Sequence, residues 1–345
     1  MKAAVLEKTN VLKVWDHLPQ PQIGDYEALC ELLFGATCSG TDSHIIRGVF
    51  PWISPLPTIL GHESVGRVIK IGPKVRNYQI GDLVTRVGAT PIPEKNISIT
   101  WGGFAQFGVA RDHWAMCADG RPAGEWQGSR WNQIVPPSIS PEVAPMLTTW
   151  RETYSYLFRM GISPSTRILI LGSGGNGLSF AAHAVNLGVA QVALLGAPYM
   201  AAKAKKLGVH HFIDYHTADP IAPLLEANPE KFDIILDSVG QKGQIDRVFK
   251  CLKPGGKVAI YGIDDFGKVT LDPSKGPGPF MYWSGGYDEA ETHQVVTDMV
   301  RQGKLDVSIW YDTTQAYPLT QIMTAFEDVW ARKTVKALIK LTEGQ

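Results

Sequence analysis

Up to about Pro141 the chain alternates apolar and polar positions in short runs broken by glycine and proline, as in ALCELLF (28–34), SVGRVIKIG (64–72) and DLVTRVG (82–88). A period of two with frequent turn residues predicts half-buried strands in an irregular, barrel-like β domain. After Thr149 the texture changes. TRILILG (166–172) is a continuous apolar run ending in glycine, as expected of a strand buried on both faces. A helical stretch (178–188) and a second strand (191–196) follow. Helix (201–208), strand (210–215), helix (220–229), strand (232–240), helix (245–256) and strand (257–263) continue the series. Such alternation predicts parallel βαβ units with helices on both faces of a sheet. Beyond about 286 the pattern gives a helix in HQVVTDMVRQGKL, another in TQIMTAFEDVW and a last strand in VKALIKL. The polar, Gly- and Trp-containing stretch 117–132 reads as an extended loop.

Between the first buried strand and its helix lies Gly172-Ser-Gly174-Gly175-Asn176-Gly177, which fits G-x-G-x-x-G. The first glycine lets the chain turn tightly out of the strand. The second lets backbone N–H groups approach a pyrophosphate, and the third lets helix and sheet pack closely. The diphosphate then sits at the positive end of the helix dipole. The strand before and the helix after give this short motif its weight. At the end of the second strand, Leu195-Gly196-Ala197-Pro198-Tyr199 offers no carboxylate for a ribose 2′-OH, which favours NADP(H) over NAD.

Composition narrows the classes. Lys+Arg and Asp+Glu both number 33, so the chain lacks the basic surplus expected of a nucleic-acid partner, and self-association meets little net repulsion. No apolar run is long enough for a membrane helix, and the start lacks a secretory pattern. The four cysteines (Cys30, Cys38, Cys117, Cys251) show no C-x-x-C pairing and read as reduced thiols of a cytoplasmic protein.

His62-Glu63, in ILGHESVGRV, places an imidazole beside a carboxylate, and Cys38 offers a thiolate from another part of the chain. Together they form a candidate zinc site. Thr41 and His44 follow the cysteine, and a hydroxyl plus an imidazole there can carry an alcohol proton outward.

These segments resemble the medium-chain dehydrogenase/reductase superfamily, in its zinc alcohol and polyol dehydrogenase branch, over nearly the whole chain. GHESVGRVIKIGPKV (61–75), GGFAQF (102–107), LGSGGNGLSFAAHAVNLG (171–188), LKPGGKVAIYG (252–262) and YPLTQIMTAFE (317–327) carry the resemblance. It implies an α/β protein with a GroES-like β-rich catalytic domain (1–147, completed by 286–345). A Rossmann doubly wound parallel-sheet nucleotide-binding domain (148–285) completes it, the active site lies between the two, and the assembly is a homodimer or homotetramer. By position, the resemblance implies Cys38 and His62 as zinc ligands and Glu63 as a nearby or alternating ligand. It places Thr41 as the relay hydroxyl and Thr149 by the nicotinamide. Gly262 is a candidate cofactor contact, and Lys336 reads as a solvated strand-end lysine or a contact to a cofactor phosphate. Trp150 is expected to narrow the substrate pocket.

The chain departs from the family at three places. Cys38-Ser39-Gly40-Thr41-Asp42 has one residue more than C-G-T-D, so either the loop bulges or Ser39 takes the ligand place. The usual third ligand falls on Pro145, with Ala144 before it. Residues 88–100 contain no cysteine, so the four-cysteine structural zinc lobe is missing. The leading expectation is an NAD(P)-dependent, zinc-assisted oxidoreductase of a small alcohol, polyol or ketone, with no nucleic-acid or membrane partner. A zinc-free NADPH reductase of quinones or enones is the alternative, and a non-catalytic nucleotide-binding scaffold a third.

Overall fold

The computed structural model describes residues 1–342, and the chain divides into two compact units. The first comprises Met1–Arg151 with the chain from Glu289 onward, and the second Glu152–Asp288.

The first unit begins with β1 (Ala3–Lys8), β2 (Val11–Trp15), β3 (Glu27–Ala36) and the short helix α1 (Thr41–Ile46). There follow β4 (Thr58–Ile59), β5 (Glu63–Ile71), β6 (Leu83–Thr85), β7 (Ser98–Ile99) and β8 (Phe107–Arg111). Helices α2 (His113–Ala118), α3 (Ala123–Trp126) and α4 (Met146–Met160) come next, the unit boundary falling inside α4. The stretch 117–132 is therefore not an extended loop. Asp112 caps α2 by accepting from the Ala115 N–H at 2.9 Å, and Pro122 opens α3. The region lacking cysteines, 88–100, is held by apolar packing of Ala89, Ile92 and Ile97 against Ala3, Val5 and Ile59.

The second unit carries β9 (Arg167–Leu171), α5 (Gly175–Asn186), β10 (Gln191–Gly196), α6 (Ala201–Lys206) and β11 (His211–Asp214). It continues with α7 (Ile221–Ala227), β12 (Phe232–Asp237), β13 (Leu252–Ile260) and β14 (Met281–Trp283). Its sheet has the order β11-β10-β9-β12-β13-β14 and every neighbouring pair is parallel. The helix expected over 245–256 does not form. Two single 3-10 turns, Ile245–Arg247 and Phe249–Cys251, lead into β13, where Leu252 pairs with Phe232. Pro254 has no N–H to donate and bars Lys253 from helical backbone, so the strand wins.

The chain then returns to the first unit with α8 (His293–Arg301), β15 (Tyr317–Pro318), α9 (Ile322–Trp330) and β16 (Leu338–Lys340). β16 inserts beside β3, giving a sheet ordered β15-β16-β3-β5-β6 with β8 also on β3. This arrangement positions the chemistry. Ala36 at the end of β3 lies opposite Glu63 at the start of β5 and opposite Leu338 at the start of β16. Cys38, His62 and Lys336 are each one or two residues beyond those pairs, so one end of the sheet gathers all three. Trp150, expected to line a pocket, is instead fully buried against Trp310, with ring centroids 5.4 Å apart.

Candidate functional site

Cys38, His62 and Glu63 form the one cluster of three His, Cys, Asp or Glu ligand groups among the described residues. Their ligand atoms lie within 4.8 Å of one another, and all three are buried. Cys38 joins the cluster, and the extra residue after it falls in a turn at 39–40. The Asp42 carboxylate closes that turn by accepting from the Cys38 N–H at 2.9 Å, and the Thr41 N–H points at Cys38 Sγ at 3.4 Å.

His62 lies between two carboxylates. Its Nδ1 is 3.3 Å from Asp42 Oδ1, and its Nε2 is 3.8 Å from Glu63 Oε1. Burial pulls the imidazole down, but the Asp42 carboxylate and the Cys38 sulfur outweigh it and hold His62 well above its ordinary range. Surroundings that keep a proton on a buried imidazole carry negative potential, and the same potential favours a divalent cation. His62 Nδ1 and Asp42 Oδ1 are also buried without a well-formed hydrogen bond. The carboxylate behind the histidine repeats a common outer-shell arrangement of zinc sites. Thiolate, imidazole and carboxylate make a zinc donor set, so these residues fit the metal.

Glu63 is also held from behind. Lys336 Nζ donates to its two oxygens at 2.5 and 2.6 Å and to the Thr37 carbonyl at 3.2 Å, and Thr149 Oγ1 donates to Glu63 Oε1 at 2.8 Å. Burial works against the Lys336 ammonium, yet Glu63 and Cys38 raise its pKa above the ordinary value. Lys336 is thus no solvated strand-end lysine. It is 1% exposed and pinned to a candidate metal ligand. Thr149, expected by a nicotinamide, directs its hydroxyl to the same carboxylate. The roles of Asp42 and of the Lys336–Glu63 pair were missed in the linear sequence, because only strand register brings positions 42, 62 and 336 together. Thr41 and His44 occupy the same face of α1, three residues apart, and the His44 Nδ1 is bonded to the Gly40 carbonyl at 2.6 Å. No further Cys, His, Asp or Glu joins the cluster from the Pro145 region among the described residues.

In the second unit the glycine turn follows β9 and opens α5. Gly172 has φ +98°, and a Cβ there would stand 2.5 Å from Val239 Cγ2. A Cβ on Gly177 would come within 2.8 Å of the Gly172 carbonyl carbon and clash with its oxygen. Gly174, the N-cap of α5, has open space around it. Gly175 and Asn176 form the first turn of α5. Two glycines therefore serve packing, and the third leaves an open face toward the amides at the head of a helix, which fits an anion. Gly262 lies where the segments after β12 and β13 touch backbone to backbone, a Cβ there clashing with the backbone of Val239 and Gly240. Gly196 is equally crowded, by the Ser173 side chain. Gly196 pairs in register with Asp214 on β11, so a carboxylate absent from the end of β10 stands at the same level on the neighbouring strand. Backbone and side-chain contacts with His216 lower the pKa of Asp214.

Known protein families match segments of both units. Residues 25–119 match the alcohol dehydrogenase GroES-like domain family, and residues 175–281 the zinc-binding dehydrogenase family. The chain is 24% identical to sorbitol dehydrogenase of Bacillus subtilis, covering 95% of this chain and 93% of that one. It is 28% identical to L-threonine 3-dehydrogenase of Mesorhizobium japonicum, with 89% and 90% covered. Among solved structures, alcohol dehydrogenase TADH from Thermus sp. ATN1 shares the fold with a TM-score of 0.78 at 20% identity, over 99% of both chains. The 2R,3R-butanediol dehydrogenase of Bacillus subtilis gives 0.79 at 17% identity, over 98% of this chain and 99% of that one. Among the described residues no helix is long and apolar enough to cross a membrane.

Proposed function

Because the chain belongs to the zinc-type medium-chain dehydrogenase/reductase superfamily, we propose that it is an NAD(P)-dependent oxidoreductase. It exchanges hydride with the carbinol or carbonyl carbon of a small alcohol, polyol or ketone. We place it in the cytoplasm as a homodimer or homotetramer. The observation that carries this reading is the convergence of Cys38, His62 and Glu63 at one end of the β16-β3-β5 sheet.

Cys38 and His62 would hold a zinc ion, and Glu63 would complete the protein's share of its shell. Bound there, zinc supplies Lewis acidity toward the substrate oxygen. The open face at Gly174 and the amides at the head of α5 would hold the diphosphate of a nicotinamide dinucleotide, which would supply or accept the hydride. Asp42 fixes the His62 ring from behind. Thr149 and Lys336 orient the Glu63 carboxylate and offset its charge in a buried setting. Thr41 Oγ1 and His44 Nε2 give the alcohol proton a route outward, the His44 ring being held by its Nδ1 on Gly40. The absence of a carboxylate at the end of β10 favours NADP(H), and Asp214 on the next strand is the group that would select NAD instead.

One observation favours a second reading. Lys336 engages both Glu63 oxygens, and Pro145 stands where the family places a third ligand. A site with its carboxylate so occupied suits a metal-free reductase of quinones or enones. Metal analysis decides between the two. The first reading expects one zinc per purified chain and alcohol-dependent nucleotide reduction that a chelator abolishes. Reduction of quinones by zinc-free protein, with no alcohol oxidised, would transfer the assignment to the second. Saturable nucleotide binding with no turnover of any alcohol, ketone or quinone would leave a scaffold.

A further inference from the structure

The stretch 117–132 finds no place in the reaction above, yet it walls a cavity of about 430 Å³ that lies within the first unit and reaches His62. Gly124, Gly128, Ser129 and Trp131 come from that stretch, and Arg86 and Trp101 from earlier in the unit. Arg86 and Trp101 are unusual in the same way. Neither is glycine, and both have left-handed backbone, at φ +56° and +65°. That conformation is costly for bulky side chains and persists where the surroundings enforce it, commonly at functional sites. Here both strained residues face one cavity beside a candidate metal ligand.

Their side chains are arranged against each other. The Arg86 guanidinium lies 4.9 Å from the Trp131 ring and 6.0 Å from the Trp101 ring, and the Trp101 ring is 5.2 Å from the His62 ring. Behind the wall, Glu289 bonds both Arg86 and, at 2.7 Å, Arg151, so the fork of Arg86 is held in one orientation. Two carboxylates of the wall are paired as well. Glu27 lies on Arg111 at 2.8 Å and Glu125 on Arg121 at 2.6 Å. A pre-oriented, buried guanidinium flanked by indole faces suits a carboxylate, which it meets through a charge-assisted N–H contact. Because His62 and Arg86 both touch the Trp101 ring, one small molecule can span them.

We propose that this cavity receives the carboxylate end of the substrate, and that the enzyme's preferred substrates are hydroxy acids. Their carbinol lies at the Cys38–His62–Glu63 end and their acid group at Arg86. This inference rests on the dehydrogenase reading and narrows its substrate class.

The test uses the zinc- and nucleotide-loaded enzyme with matched pairs of alcohols: 6-hydroxyhexanoate and hexane-1,6-diol, gluconate and sorbitol, 4-(hydroxymethyl)benzoate and benzene-1,4-dimethanol. The acid member of at least one pair is expected to show about tenfold or greater advantage in kcat/KM, the discrimination a charge-assisted contact can supply. In Arg86→Met, Arg151 still holds Glu289, and the acid-to-neutral ratio is expected to collapse toward unity, mainly through KM. Should that variant not fold, the wild-type enzyme answers alone: hexanoate inhibits oxidation of a neutral alcohol competitively, and hexanamide does not. Equal kcat/KM within every pair, equal inhibition by hexanoate and hexanamide, or an unchanged ratio in a folded Arg86→Met protein overturns the proposal. Neutral alcohols oxidised without any acid preference remove this inference alone, whereas nucleotide binding with no alcohol oxidised at all removes the dehydrogenase reading beneath it.

Discussion

Lys336 shows how much one side chain decides when it is buried with a charge of opposite sign. Its ammonium bonds both Glu63 oxygens, and neither residue is more than 1% exposed. Removing one partner of such a pair strands the other, at a cost of roughly 3–5 kcal/mol. Lys336→Met is therefore expected to lose stability of about that size in metal-stripped protein, read from urea unfolding midpoints. Zinc then offers Glu63 a replacement cation, so added zinc should recover a larger share of stability in the variant than in wild type. Equal stabilisation of the two would separate Glu63 from the metal. Residues of this kind were hard to read beforehand. A lysine near a strand end is usually solvated, and nothing local to position 336 signals a carboxylate 273 positions earlier.

At the scale of the element, the β9–turn–α5 unit separates two uses of glycine. A Cβ at Gly177 would overlap the Gly172 carbonyl and push α5 from the sheet, whereas one at Gly174 meets nothing within 4 Å. Gly177→Ala should therefore cost about 1–3 kcal/mol of stability as well as nucleotide affinity. Gly174→Ala should cost at most about 1 kcal/mol, the N-cap preference, while weakening nucleotide binding by about tenfold or more. Nucleotide titration beside urea unfolding checks the pair, and unaltered affinity in Gly174→Ala would place the diphosphate elsewhere. This element was legible in the sequence because its signal is local: a buried apolar run, three spaced glycines and a helix. The segments that misled, 117–132 and 245–256, failed for the complementary reason. In the first, a cap at Asp112 and a start at Pro122 make short helices from residues with little apolar periodicity. In the second, helical spacing before Pro254 yields to pairing of Leu252 with Phe232. The metal cluster lies between these cases, since His62-Glu63 stands out in the sequence but its partners depend on strand register.

Across the whole molecule, the first unit is assembled from both ends of the chain, and two buried histidines, one from each end, tie its response to acid. His113 opens α2, and burial, only partly opposed by Asp112, pulls it down to about 4. His293 opens α8, and burial together with the Arg151 guanidinium brings it to about 4 as well. The bonds at His293 fix its neutral form: Nε2 donates to the Ile134 carbonyl at 2.8 Å, and Nδ1 faces the Arg151 Nη1 at 3.4 Å. In the unfolded chain both rings take up protons near their ordinary value of 6.5, while the folded chain refuses them until about pH 4. More protons are thus bound by the unfolded state across that window, so stability is complete above it and declines as pH falls through it. The loss is on the order of 3 kcal/mol for each ring at the acid end, a large part of the 5–15 kcal/mol typical of a domain. Urea unfolding of wild type should show this decline from near neutrality to about pH 4, and a double variant, His113→Gln with His293→Gln, should show a markedly flatter one. Glutamine keeps a donor and an acceptor at both places but takes up no proton, so the difference between the two curves isolates the imidazoles from the carboxylates that titrate lower. Parallel curves would mean that these rings are already charged in the folded protein, and that Arg151 faces an imidazolium rather than an acceptor.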